Sequence, residues 1–263
     1  MSAENSLQRV IAIDGPSGSG KSTVAKELAR RLSVLFIDTG AMFRALAYEA
    51  DRRHIDPEEG QVLDAFLTDF KMDYGKSEDE LIVVDGVNLT EKIREHHIST
   101  LASVFSQLPS VRKYLLDFQR TLALDNVCVM EGRDIGTVVF PKAFAKFFVT
   151  ASLEVRATRR LTQLKEKGDT RLTLEQVIAD QQKRDESDMN RTVAPLKQAD
   201  DAELIDTSGQ TLDEVIAKIE IKCKELASKS GNMNSHFPME NFRKEATLMG
   251  AYQSVLQRQE VFS

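Results

Sequence analysis

The sequence predicts an α/β fold, a five-stranded parallel sheet with helices on both faces, and three observations carry that expectation. A strand-like run, a glycine loop and an amphipathic stretch follow one another in "RVIAIDGPSGSGKSTVAKELARRL" near the start of the chain. Four more strand-like runs, "VLFID", "VCVMEG", "KFFVTA" and "AELIDTS", alternate with helical stretches. One segment breaks the alternation. "FKMDYGKSEDELIVVDGVNL" holds two short alternating runs around a polar turn, the pattern of a hairpin rather than of a parallel strand.

The first run, "RVIAID", is short, apolar and bounded by glycine, as a buried strand should be. Val24, Leu28 and Leu32 then recur at four-residue spacing and give a helix with one apolar face. The loop between them fits G-x-x-x-x-G-K-[ST], with Gly15, Gly20, Lys21 and Ser22 at the fixed positions. A strand before and a helix after are what such a loop needs to grip a triphosphate. Backbone N–H groups and the helix N-terminus then face the phosphate oxygens. Gly15, Pro16, Ser17, Gly18, Ser19, Gly20, Lys21, Ser22 and Thr23 are therefore the candidate ATP-binding loop. Lys21 should reach the β- and γ-phosphates, and the Ser22 hydroxyl should ligate Mg²⁺. Hydrolases, switches and kinases share this grip, so the phosphate acceptor has to be sought elsewhere in the chain.

"VLFID" reads as the second strand. "FIDTGAMFR" places Asp38 and Thr39 at its end and Arg44 one turn into the next helix. An ordinary N-cap at Thr39 with a solvated arginine has the same pattern. Residues about 66–100, which include the hairpin, are expected to form a small β-containing insert over the C-terminal edge of the sheet, where ligands bind in such folds. "VCVMEG" runs into Glu131-Gly132-Arg133-Asp134, a cluster of charge at a strand tip beside the glycine-loop strand. A structural ion pair would also produce it. In "EVRATRRLTQLKEKGD", Arg156 and Arg160 stand at i, i+4, placed to neutralise a transferring phosphate. In "KRDESDMNRTVAPL", Arg184, Asp188 and Arg191 stand at i, i+4, i+7 on one helix face, a spacing shared with solvent-facing salt-bridge ladders. Residues about 156–191 are expected to act as a lid. Leu212, Val215, Ile216, Ile219, Cys223 and Leu226 form a helical stripe that closes the core. The domain is expected to span 1–227. Residues 228–263 then read as a polar linker and a weakly amphipathic tail, which either docks loosely on its own domain, stays disordered or contacts a partner.

The chain has 263 residues, 41% hydrophobic and 29% charged, a soluble globular balance with ample mass for a core. Its net charge of -6 argues against a general nucleic-acid binder, so any anion must meet a local arginine cluster. The two cysteines, Cys128 and Cys223, lack metal or redox spacing and read as buried thiols. No apolar run is long enough to cross a bilayer, and the N-terminus lacks the apolar core of a signal peptide. A reduced, cytoplasmic protein is expected, without nucleic-acid or membrane partners and working as a monomer.

Arg44, Arg112, Arg133, Arg184 and Arg191 come from five places that a parallel α/β fold can bring to one cleft. An acidic protein with such a set is suited to more than one phosphate. On "IDGPSGSGKST", "DTGAMFR", "EGRDIGTVVFP" and "RDESDMNRTVAPLKQADDA", the chain resembles the bacterial cytidylate kinases of the nucleoside monophosphate kinase family, over residues about 9 to 227. The resemblance implies a P-loop kinase fold with a monophosphate-binding insert and a lid, and transfer of the ATP γ-phosphate to CMP or dCMP with Mg²⁺. It implies that Arg44, Arg133 and Arg191 hold the acceptor phosphate and that Arg184 and Asp188 hold its sugar. Thr39 falls in the same acceptor-binding set. Ser103, Arg112 and Asp134 would read the cytosine. Asp134 suits that role chemically, since a carboxylate accepts from the N4 amino group of cytosine and uracil offers only an acceptor there. Phe43 departs from the family, which usually has tyrosine at this position.

A CMP phosphate oxygen is already anionic, so catalysis requires positioning and charge neutralisation by Lys21, Mg²⁺, Arg133, Arg184 and Arg191 rather than a general base. The four histidines fit no motif: His54, His96 and His97 read as surface residues, and His236 falls in the linker. Three other readings stand beside this one. A kinase of a small hydroxyl-bearing metabolite would need a base, for which Asp38 is the candidate. A guanine-nucleotide switch should carry N-K-x-D, which the sequence lacks. A non-catalytic nucleotide sensor would have little reason to keep Lys21, Ser22 and the arginines.

Overall fold

The apolar runs assemble around a single central strand. In the computed structural model, residues 9–75, 79–124, 126–166, 168 and 171–229 are described, and the expected tail from residue 230 onward lies outside them. The described residues form two compact units, one of residues 9–37 and 127–229 and the other of residues 38–126. The expected excursion at 66–100 falls inside the second unit, which begins earlier and ends later.

In the first unit, β1 (Val10–Asp14), β2 (Leu35–Asp38), β6 (Cys128–Gly132), β7 (Ala145–Thr150) and β8 (Glu203–Asp206) form a parallel sheet in the order β2-β6-β1-β7-β8. Every residue of β1 is buried. That is why "VIAID" shows no alternation: a central parallel strand is covered on both faces. The register sets Asp14 beside both Gly132 and Phe148, and Thr150 beside Asp206. The ends of four strands thus share one edge of the sheet, where ligands bind in open α/β folds.

α1 (Lys21–Leu32) buries Val24, Ala25, Leu28, Ala29 and Leu32 against this sheet. α8 (Leu212–Lys229) covers the same core with Val215, Ile216, Ile219 and Cys223, and Leu226 packs partly against it. Each fully buried Val, Leu or Ile among them contributes about 1.5–3 kcal/mol through burial. Leu212, expected in this stripe, is 38% exposed, because it is the first residue of the helix and lies short of the core. α6 (Leu153–Glu166) and α7 (Leu174–Asn190) form a pair with its own small core of Ala157, Leu164 and Val177. A capping box of Thr173 and Gln176 starts α7.

The second unit contains α2 (Thr39–Arg52), α3 (Gln61–Asp69), α4 (His96–Phe105) and α5 (Pro109–Ala123). Its sheet has three antiparallel strands: β3 (Met72–Tyr74), β4 (Ile82–Val84) and β5 (Val87–Asn88). The third strand goes beyond the expected hairpin. Asp85 and Gly86 have φ of 49° and 75°, so the Asp-Gly pair forms a two-residue turn of the type that reverses a strand. β5 escapes a pattern reading because it is two residues long and exposed.

Candidate active site

The glycine loop leaves the C-terminal end of β1. Gly15 has φ 152°, and a Cβ there would lie 2.0 Å from the Val149 carbonyl oxygen, so no other residue fits. Gly20 caps α1 without a side chain, and no acidic residue occupies the helix's first turn. The N–H groups of that turn therefore keep their attraction for an anion. Lys21 is 6% exposed; its Nζ donates to the Pro16 carbonyl at 3.3 Å and stands 3.9 Å from Glu131 Oε2. The lysine is thereby held across its own loop by the strand-tip glutamate of β6. Ser22 is exposed in the first helical turn, and among the described residues nothing bonds its hydroxyl.

Two arginines of α6 hold the loop from below. Arg156 is buried and donates from Nε to the Ala151 carbonyl and from a terminal nitrogen to the Ser17 carbonyl, at 3.0 and 3.1 Å. The same nitrogen lies 2.6 Å from Asp185 of α7. Arg156 thus reaches the loop through a backbone carbonyl. Arg160, one turn on, is half-buried. The sequence reading missed Arg159, which donates to the Thr207 hydroxyl and carbonyl at 2.9 and 2.8 Å. The Thr207 hydroxyl in turn donates to the Ser19 carbonyl at 2.9 Å.

The charged stretch after β6 and the end of α7 come together in the same unit. Arg133 Nε donates to Asp188 Oδ2 at 3.0 Å, and Arg191 stands 3.7 Å from Asp188 and 3.4 Å from Asp134. Burial alone would raise the Asp188 carboxyl, but the charges of Arg133, Arg184 and Arg191 outweigh it and hold the group below its ordinary value. Arg133, Asp134, Arg184, Asp188 and Arg191 thus form one cluster with more positive than negative charge. Arg191 does not lie on the expected helix face. α7 ends at Asn190, and Arg191 has an extended backbone, turning its Nε to the Ala194 carbonyl. Asp14, also unforeseen, is buried and accepts from the N–H groups of Ile135 and Gly136 at 2.8 and 2.7 Å. Burial pushes its carboxyl up to about 7, against these two donors.

In the second unit, Asp38 rather than Thr39 caps α2: Oδ1 accepts from the Ala41 N–H at 2.8 Å and Oδ2 from Arg44 at 3.0 Å. Thr39 is the buried first residue of that helix. The Nε of Arg44 is buried with no hydrogen-bond partner among the described residues, which is costly unless a ligand supplies an acceptor. Arg112 donates to the Ser106 carbonyl at 3.2 Å, and its guanidinium lies over the Phe43 ring at 5.5 Å. Phe43 therefore retains the stacking role that any aromatic ring offers a guanidinium. Ser103 is half-buried on α4, and its carbonyl accepts from the Ser106 hydroxyl.

Among the described residues no three His, Cys, Asp or Glu side chains group as a metal site, and no helix is long and apolar enough to cross a membrane. Cys128 and Cys223 are free and buried, and burial pushes both thiols up to about 12.

A family model described as cytidylate kinase matches residues 11–225. Curated relatives named cytidylate kinase include one from Clostridium tetani, 43% identical over 81% of this chain and 92% of the relative. One from Desulforamulus reducens is 44% identical over 80% and 95%. One from Caldanaerobacter subterraneus is 46% identical over 80% and 92%.

Proposed function

The chain belongs to the cytidylate kinase family, and on that premise we propose that it transfers the γ-phosphate of ATP to CMP or dCMP, releasing ADP and CDP or dCDP. The observation that carries this reading is the cluster of Arg133, Arg184 and Arg191 around Asp188, adjoining Asp134. Three guanidinium groups against two carboxylates leave an excess of positive charge for a phosphate monoester.

Each residue then has a task. The loop from Gly15 to Thr23 binds the ATP phosphates, with Lys21 neutralising charge on the transferring group. Arg160 approaches the donor phosphates, and Arg156 serves the same site by holding Ser17. Arg133 and Arg191 take the acceptor phosphate, Arg184 and Asp188 its sugar, and Asp134 the cytosine N4 amino group. The family resemblance assigns Thr39, Arg44, Ser103 and Arg112 to the acceptor. The orphan Nε of Arg44 supports a phosphate contact there, and Ser103 and Arg112 are assigned to the base. The attacking oxygen is anionic at neutral pH, so no base is needed. A hydroxyl acceptor would need one, and Asp38 is poorly placed to serve because both its oxygens are engaged.

The exposed Ser22 hydroxyl, a hard oxygen donor without an acid cluster beside it, fits Mg²⁺ that arrives with the nucleotide and keeps most of its waters. Bound there, Mg²⁺ would supply neutralisation of phosphate charge. The free, buried thiols suit a reduced cytoplasm, and we take the working form to be a monomer.

ATP consumption measured with CMP, dCMP, UMP, AMP and no acceptor tests the proposal. Turnover is expected with CMP and dCMP, and little with UMP. Equal use of CMP and UMP would sink the base assignment, and acceptor-independent consumption would sink the kinase reading. Asp134→Asn should lower CMP efficiency roughly 10–100-fold and narrow discrimination against UMP, because the amide loses the charge-assisted bond and can donate to uracil O4.

A further inference from the structure

The residue that caps the short helical turn after β6 does not lie next to it in sequence. Residues Ile135–Val139 form a single π-type turn, a geometry frequent at functional sites, and Asp134 occupies its N-cap position. An aspartate there ordinarily turns its carboxylate back onto the first N–H groups of the turn. Asp134 makes no such capping bond and pairs instead with Arg191 at 3.4 Å. The capping acceptor is Asp14, at the end of β1, more than a hundred residues earlier. Its two oxygens take the N–H groups of Ile135 and Gly136 separately, at 2.8 and 2.7 Å.

The other side of the turn is also held. A Cβ on Gly136 would lie 3.1 Å from the Lys146 stem, a tight contact, and 3.4 Å from Asp14 Oδ2, an ordinary one, so the backbone passes close to both side chains. The buried Lys146 bonds the Pro141 carbonyl at 2.6 Å and Asp201 at 2.8 Å, fixing the end of the same segment.

We propose that Asp14 is a positioning residue for base selection: by capping the 135–139 turn in place of Asp134, it keeps the Asp134 carboxylate directed at Arg191 and the acceptor base. This rests on the reading of Asp134 as the group that recognises cytosine. Asp14 touches no substrate. Its effect passes through the backbone of residues 134–136 and bears on the acceptor more than on the donor. With asparagine in place of Asp14, one of the N–H groups of Ile135 and Gly136 meets an NH₂ instead of an acceptor, and Asp134 is the nearest carboxylate in sequence to replace it.

The test is steady-state kinetics on the full chain carrying Asp14→Asn, with CMP, UMP and ATP each varied. KM for CMP should rise about tenfold or more, the CMP/UMP ratio of kcat/KM should fall by a similar factor, and KM for ATP should stay within about twofold. Asp14→Glu keeps a carboxylate, but its extra methylene moves the oxygens off the two N–H groups, and it should reproduce the pattern. It also carries the test alone if Asp14→Asn does not fold. Unchanged CMP/UMP selectivity in the folded variants overturns the proposal, as does a rise in KM for ATP equal to that for CMP. Asp134→Asn is the control. If it leaves selectivity intact, the reading of Asp134 fails; if it abolishes selectivity while the two Asp14 variants do not, only the positioning role fails.

Discussion

Replacing Asp14 with asparagine should change how the stability of the protein depends on pH. Burial raises the Asp14 carboxyl from its ordinary 3.8 to about 7; the Gly136 and Ile135 N–H groups lower it, the Asp134 charge adds to the rise, and the Arg133 charge opposes it. Below pH 3.8 the group is protonated in both folded and unfolded chains, and its contribution to stability is complete. Between 3.8 and 7 the unfolded chain releases the proton while the folded one keeps it, so stability falls as pH rises. Above 7 the whole difference has been lost, about 4 kcal/mol for a shift of this size. Asparagine has no proton to lose and escapes that decline. It carries instead a pH-independent cost of about 1–3 kcal/mol, since its NH₂ faces one of two backbone donors. The stability of the variant relative to the natural chain should therefore improve by up to about 4 kcal/mol from pH 4 to pH 8. Urea denaturation of both proteins across that range, followed by circular dichroism, measures the difference. Parallel curves would refute the reasoning, because they would mean that the buried carboxyl has no raised affinity for its proton.

Gly15→Ala should abolish high-affinity ATP binding and destabilise the protein by about 2–4 kcal/mol, because its Cβ would meet the Val149 carbonyl at 2.0 Å; calorimetric titration with ATP and thermal denaturation check both effects. Arg156→Lys should raise KM for ATP about tenfold or more, since an ammonium cannot serve Ala151, Ser17 and Asp185 in one fork, and a double-mutant cycle with Asp185→Asn should show strong coupling. Truncation after Ser228 should leave kcat with CMP unchanged within about twofold, because the family model stops at residue 225 and the last buried residue of α8 is Cys223; loss of solubility or activity would place the tail in the core.

The inner strands β1 and β6 were legible as apolar runs because a strand covered on both faces has to be apolar. The edge strands β2 and β8, only partly buried, were legible from their place between helical stretches. The glycine loop was legible because its spacing answers to local backbone geometry. What escaped was set by distance in the chain. No local pattern announces that Asp14 will cap a turn at residue 135, or that Thr207 will bond Ser19, since both follow from strand order alone. The placement of Arg191 went wrong for a local reason: the i, i+7 spacing continues a helix that ends one residue too soon. Asp38 and Thr39 are both competent caps by residue type, and the backbone fixes Asp38, the stronger of the two, at the N-cap. The role of Arg156 was obscured because a helical spacing gives the direction of a side chain but not whether its charge faces solvent or a buried aspartate.

The bond from Thr207 to Ser19 joins residues 188 positions apart, and Ser19 is made long before Thr207. At about 5–20 residues per second, a ribosome that has just produced the glycine loop needs roughly 10–40 s more to reach Thr207. Through that interval the loop lacks the hydroxyl that fixes one of its carbonyls and the central strand lacks both its neighbours β6 and β7 for most of the time. A growing or prematurely ended chain is therefore a poor binder of ATP, and the ability to grip a nucleotide arrives almost together with the end of the domain. The order of strands in the sheet acts as a timer, and it delays chemistry until the last strand of the sheet has been made.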